Sequence, residues 1–211
     1  MQPSQQPSDI VWQEGRVTRS ERARATGGAG ATIWLTGLPA SGKSTIAFAV
    51  EAALIERGRA AYVLDGDNVR HGLCGDLGFS ADDRRENVRR VAEVARLVAD
   101  AGTVAIVALI SPEAAGRVSA RQVHDEAGLP FVEVFMDTPL EVCEERDPKG
   151  LYARARAGTV QGLTGLDAPY ERPDDADLIL RSTTTSVADE VERVLDALAA
   201  AEAAALAAAQ R

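Results

Sequence analysis

Gly37-Leu38-Pro39-Ala40-Ser41-Gly42-Lys43-Ser44 fits the pattern G-x-x-x-x-G-K-[ST] at every fixed position. With this chain's own residue frequencies, such a string arises by chance in roughly one sequence in several hundred, so it reads as a site. Only two of the 23 basic residues are lysines, and one of them is Lys43. Glycines let backbone N–H groups come close to phosphate oxygens, where larger side chains would block the approach. A helix beginning at the loop adds its dipole and its orphan donors. Lys43 would reach the β- and γ-phosphate oxygens, and the Ser44 hydroxyl would ligate Mg²⁺. The segment from Gly37 to Thr45 is therefore the candidate binding loop for a nucleoside triphosphate. Its flanks agree: residues 31–36 read as a buried strand, and Ala47, Val50 and Leu54 mark one face of a helix.

Two further clusters follow apolar runs. Asp65-Gly66-Asp67-Asn68 comes after residues 60–64, and Ile110-Ser111-Pro112 comes after residues 103–109. A carboxylate at Asp67 could orient an attacking hydroxyl and accept its proton, or it could hold Mg²⁺. The same four residues are also good turn chemistry. Ser111 could act as a nucleophile or cap a helix starting near Pro112.

The elements that would position these groups are legible in the pattern. Strand-like runs at 31–36, 60–64, 103–109, 131–136 and 177–180 alternate with helical stretches. This predicts an α/β fold: one mainly parallel five-stranded sheet with helices on both faces. Ligands then collect beyond the carboxyl ends of the strands, where all three clusters fall. Val88, Val91, Ala95 and Val98 share a helix face, with Ser80 and Asp83 as a capping box at its start. Residues 187–209 form the last helix, with Val187, Val191, Val194 and Leu198 on one stripe. Past Leu198 it is nearly all alanine, so residues 199–211 are expected to fray. Residues 1–8 are expected to be disordered and residues 1–30 as a whole to be a flexible lead-in, leaving one domain over 31–198.

Composition narrows the function. A net charge of −9 argues against bulk affinity for nucleic acid or anionic membranes. No apolar run is long enough to span a bilayer. Cys74 and Cys143 stand far apart, as reduced thiols in cytoplasm do. Arg70, Arg84, Arg85, Arg89 and Arg90 fall together, either as a local anion site or as a solvated helix face. The only asparagines, Asn68 and Asn87, lie outside any guanine-reading N-K-x-D motif, which argues against a GTPase switch.

The blocks Asp65–Leu73, Asp76–Ser80, Asp83–Arg90, Asp137–Cys143 and Arg146–Tyr152 together resemble the adenylylsulfate kinases, as do Val11-Trp12 and Val17-Thr18-Arg19. The likeness spans roughly residues 9–195. It implies a P-loop NTPase-type three-layer sandwich that transfers the γ-phosphoryl group of ATP, with Mg²⁺, to the 3′-hydroxyl of adenylylsulfate. Lys43 and Asp67 would be catalytic, and Ser111 is the family's proposed phosphoserine position. Arg146 would lie near ATP, and Ser44 and Asp67 near the metal. Asp65, Arg70, Phe79, Arg84, Asn87, Ile110, Ser111, Lys149, Leu151 and Leu163 would meet the acceptor. Arg70, Arg84 and Asn87 would take its phosphosulfate and Phe79 its adenine, although core packing is the plainer role for a lone phenylalanine. Lys149 and Leu151 would belong to a lid over about 147–170. The resemblance also implies a homodimer and leaves open association with an ATP sulfurylase. Leu163 stands where the family's lid usually has Phe, removing an aromatic wall, and Glu113 adds negative charge near the site. Both departures favour the rival reading, a related kinase acting on another hydroxyl acceptor.

Overall fold

The computed structural model describes residues 11, 13, 15–181 and 183–209; residues 1–8 and Trp12 lie outside them. In chain order the elements are α1 (Arg19–Thr26), β1 (Ala31–Thr36), α2 (Lys43–Glu56), β2 (Ala61–Asp65), α3 (Gly66–Val69), α4 (Ala81–Asp100), β3 (Val104–Ala108), α5 (Ala114–Glu126), β4 (Phe131–Met136), α6 (Leu140–Arg146), α7 (Leu151–Arg156), β5 (Leu178–Leu180) and α8 (Val187–Ala209). The five strands pair in parallel in the order β2-β3-β1-β4-β5.

All six residues of β1 are buried, because helices cover both faces of the sheet. Alternate side chains go to opposite sides. Ile33 and Leu35 join Ile46, Val50, Val194 and Leu198 beneath α2 and α8. Trp34 joins Val91, Ala95, Ala120 and Phe131 beneath α4 and α5. This is the expected three-layer α/β sandwich, and each observed strand lies within one residue of its predicted bounds. Among the described residues no helix is long and apolar enough to cross a membrane.

Three expectations are corrected. The lead-in is not flexible throughout: α1 forms behind a Thr18–Glu21 capping box. Arg19 and Arg22 both clasp Asp100 at the end of α4, at 2.8 and 2.7 Å. The alanine-rich end of α8 stays helical to Ala209: Ala201 packs on the core, and Glu202 pairs with Arg59 at 2.7 Å. Val187 is exposed rather than part of the buried stripe, because it opens the helix beyond the sheet's cover.

Candidate active site

Because every strand runs the same way, the segments after β1, β2, β3 and β4 emerge at one edge. The phosphate loop follows β1. Gly37 has φ +150° and Gly42 has φ +104°, and a Cβ on Gly37 would sit 3.0 Å from Met136 and Ser41. Lys43 opens α2, with its Nζ donating to the Gly37 and Leu38 carbonyls (2.8 and 2.6 Å) and to Ser41 Oγ (3.2 Å). Burial pushes its ammonium down to about 7; nearby Lys149 adds to this and Asp65 opposes it.

A triphosphate needs the charged form of that lysine, so ATP binding must draw a proton where the amine is neutral. At pH 8, binding should take up close to one proton per site, and above pH 7 affinity should fall about tenfold per pH unit. Calorimetry in buffers of different ionisation enthalpy checks this; an identical apparent heat across buffers at pH 8 would contradict it.

After β2, the Asp65 carboxylate caps α3 by accepting from Asp67 N at 2.9 Å, and its other oxygen accepts from Ser44 Oγ at 2.7 Å. Asp67 itself is exposed and ion-paired with Lys149. The carboxylate against Ser44 is that of Asp65, with Asp67 two residues further on. A hydroxyl and a carboxylate are the hard oxygen donors that Mg²⁺ takes. Among the described residues no three His, Cys, Asp or Glu side chains gather as a metal site, so phosphate oxygens and water would complete its shell.

Before α4, Phe79 is 70% exposed, which removes the core-packing alternative. The Arg70 guanidinium lies 4.5 Å over its ring while donating to Gly78 O at 2.9 Å. Arg84 donates to Phe79 O (3.0 Å), Thr164 Oγ1 (2.7 Å) and Gly162 O, tying α4 to the 147–170 segment. Asn87 is buried, and its Oδ1 has no partner among the described residues. Arg85, Arg89 and Arg90 are spent on ion pairs with Asp82, Glu86 and Asp76, as a solvated helix face would be.

The 147–170 segment roots on the phosphate loop. Tyr152 Oη donates to Pro39 O at 3.0 Å, and Arg146 reaches Ser41 O at 3.5 Å. Leu163 is only 8% exposed and packs with Cys143, Tyr152 and Leu151 in a small apolar cluster. That packing gives the segment a small core of its own. Glu113 pairs with Arg85 at 3.2 Å, so its charge is balanced rather than bare.

Ser111 follows β3 with φ +39° and is 3% exposed. Its Oγ accepts from Trp34 Nε1 (3.1 Å) and donates to Thr36 Oγ1 (3.0 Å). The Thr36 hydroxyl in turn donates to Ile110 O (2.7 Å), so Tyr170 Oη is the donor in its 3.0 Å contact with Thr36. Ser111 does not cap α5, whose N-cap is Glu113; instead Ala114 N donates to Glu171 Oε2 at 2.6 Å. A buried hydroxyl engaged as both donor and acceptor is poorly placed to attack a phosphorus atom. Ser111→Ala should keep turnover within about threefold while costing ~1–3 kcal/mol of stability, since Trp34 Nε1 loses its acceptor. Steady-state rates and urea unfolding of the variant check this; a thousandfold loss of turnover would restore the phosphoserine route.

Reading the sequence missed Thr36, Arg117, Glu133 and Tyr170 at this edge. One signal was there to see, a glutamate in the middle of the apolar strand Phe131–Met136.

Sheet order, phosphate loop and facing arginine-bearing helix together make this molecule a P-loop kinase. The family model for adenylylsulphate kinase matches residues 29–181. An adenylyl-sulfate kinase from Shewanella pealeana is 52% identical over 193 residues, 92% of this chain and 93% of that protein. One from Klebsiella pneumoniae is 51% identical over 195 residues, 92% and 96% of the two chains. The structure of the Mycobacterium tuberculosis APS kinase CysC in complex with AMPPNP and APS superposes with a TM-score of 0.79 at 55% identity, covering 81% of this chain and 98% of that one. The chain belongs to the adenylylsulphate kinase family, and it is an ATP-dependent kinase.

Proposed function

We propose that this protein transfers the γ-phosphoryl group of ATP to the 3′-hydroxyl of adenylylsulfate, giving 3′-phosphoadenylylsulfate. The observation that carries the reading is the short path from phosphate loop to acid: Ser44 Oγ touches Asp65, and Asp67 stands two residues further on. Lys43 and the loop amides hold the β- and γ-phosphates, and Arg146 flanks the nucleotide. Ser44 and Asp65 hold Mg²⁺, which when bound neutralises charge on the phosphate oxygens. Asp67 orients the ribose hydroxyl and accepts its proton late in a loose transition state.

Arg70, Arg84 and Asn87 grip the phosphosulfate through charged forks and an amide. The exposed Phe79 ring stacks on adenine, contributing ~1–3 kcal/mol. Residues 147–170 act as a lid: Lys149 is drawn to Asp67, and the closed segment excludes water. The two residues that favoured another acceptor no longer do so, since Leu163 serves the lid's own core and Glu113 is paired. In this reading the enzyme is a cytoplasmic homodimer. The test is purified protein with ATP, Mg²⁺ and adenylylsulfate, with mass analysis of the product. A phosphate on the ribose 3′ position supports the reading, and ADP release that ignores adenylylsulfate refutes it.

A further inference from the structure

We propose that Arg117 is a positioning residue for the acceptor, holding Ser111 in its left-handed conformation and fastening the same loop to the root of the lid. The inference rests on the acceptor reading above. The Arg117 guanidinium is 3% exposed and spends donors in three directions. Nε donates to Glu133 Oε1, Nη1 to Ser111 O and Nη2 to Glu171 O, each at 2.8 Å. A buried ion pair is weak evidence for stability, since apolar residues of similar volume often serve as well. What apolar residues could not do is donate to two carbonyls on separate segments.

Those carbonyls matter because of where they lie. Ser111, at φ +39°, carries a Cβ in a region that disfavours one, and such a conformation persists only where its surroundings over-determine it. Its hydroxyl is locked to Thr36, the residue before the phosphate loop, and Thr36 also holds Ile110 O and Tyr170 Oη. Tyr170 precedes Glu171, where the proposed lid rejoins the body. Arg117 therefore closes a ring joining the end of β1, the loop after β3 and the lid's return. Without it, Ser111 relaxes, Ile110 turns and the acceptor surface shifts relative to the phosphates. The ATP grip from Gly37 to Thr45 has no contact with Arg117 among those described.

The test is the double variant Arg117→Met/Glu133→Met, which removes both buried charges together, alongside Arg117→Lys. Each is assayed for acceptor KM and kcat at saturating ATP, for ATP Kd by calorimetry and for its unfolding midpoint. The expected result is a folded double variant whose acceptor KM rises at least about tenfold while ATP Kd stays within about twofold, with a smaller rise for Arg117→Lys. An acceptor KM unchanged in both variants, or an ATP Kd that weakens in step with it, overturns the proposal. If neither variant folds, Arg117 is purely structural and the proposal is likewise overturned. A parent enzyme that forms no product from adenylylsulfate sinks the acceptor assignment itself; an active parent with unaffected variants sinks only this inference.

Discussion

Asp67→Asn should lower kcat by about 10²–10⁴-fold while leaving ATP affinity within about twofold of the parent. Asparagine keeps the shape of the side chain and can still orient a hydroxyl, but it cannot take up the proton. The carboxylate is solvent-exposed, and its only ion pair among the described residues is with Lys149, so the amide leaves no buried charge behind. Asp65 stays against Ser44, so the phosphate loop and its oxygen donors are untouched. Steady-state rates and calorimetric titration with ATP and Mg²⁺ separate the roles. A drop in kcat smaller than threefold would remove Asp67 from proton transfer, and a parallel loss of Mg²⁺ affinity would make it a metal ligand instead.

Lys43→Met should cut kcat/KM for ATP by about a thousandfold or more, corresponding to ~4 kcal/mol of lost transition-state stabilisation. The same change should act on the fold with the opposite sign. The folded protein holds the Lys43 ammonium near 7, against an ordinary value of 10.5. Between those values the unfolded chain binds the extra proton, so this group makes stability rise with pH from 7 to 10.5 and costs most below 7. Methionine fills a similar volume without the charge. Urea unfolding at pH 7 and pH 9 should show the variant more stable than the parent at the lower pH, with the gap shrinking at the higher. A gap that is negative or independent of pH would mean that the three hydrogen bonds of Nζ outweigh the cost of burying it.

What could be read from the chain was what is encoded locally. The five strands, the phosphate loop and the Ser80–Asp83 cap depend on neighbours within a turn or a strand, and all three appear as read. What escaped depended on residues far apart. Leu163 packs on Cys143 and Tyr152, and no periodicity in a loop announces that. Phe79 is exposed because Arg70 and the turn before α4 hold it out, whereas composition alone favoured the core. Helix α1 carries no apolar stripe; what fastens it is polar, two arginines on one aspartate about 80 residues later. Ser111 beside Pro112 suggested a helix cap, yet the hydroxyl turned inward to Trp34, a partner only the folded sheet supplies. That Asp65 touches Ser44 was not legible either, because it depends on Asp65 capping α3 with one oxygen and meeting Ser44 with the other.

The clasp between Arg59, Ala29 and Glu202 has a practical corollary. It gathers the entry to β1 and the far part of α8 on the underside of the sheet, at the amino ends of its strands. Five-residue strands stand ~17 Å tall, so Ala29 and Glu202 lie well away from the phosphate loop at the carboxyl ends of the strands. A bead or a fluorophore attached at the exposed position of Ala203, beside that clasp, can therefore be carried with the mouth pointing outward.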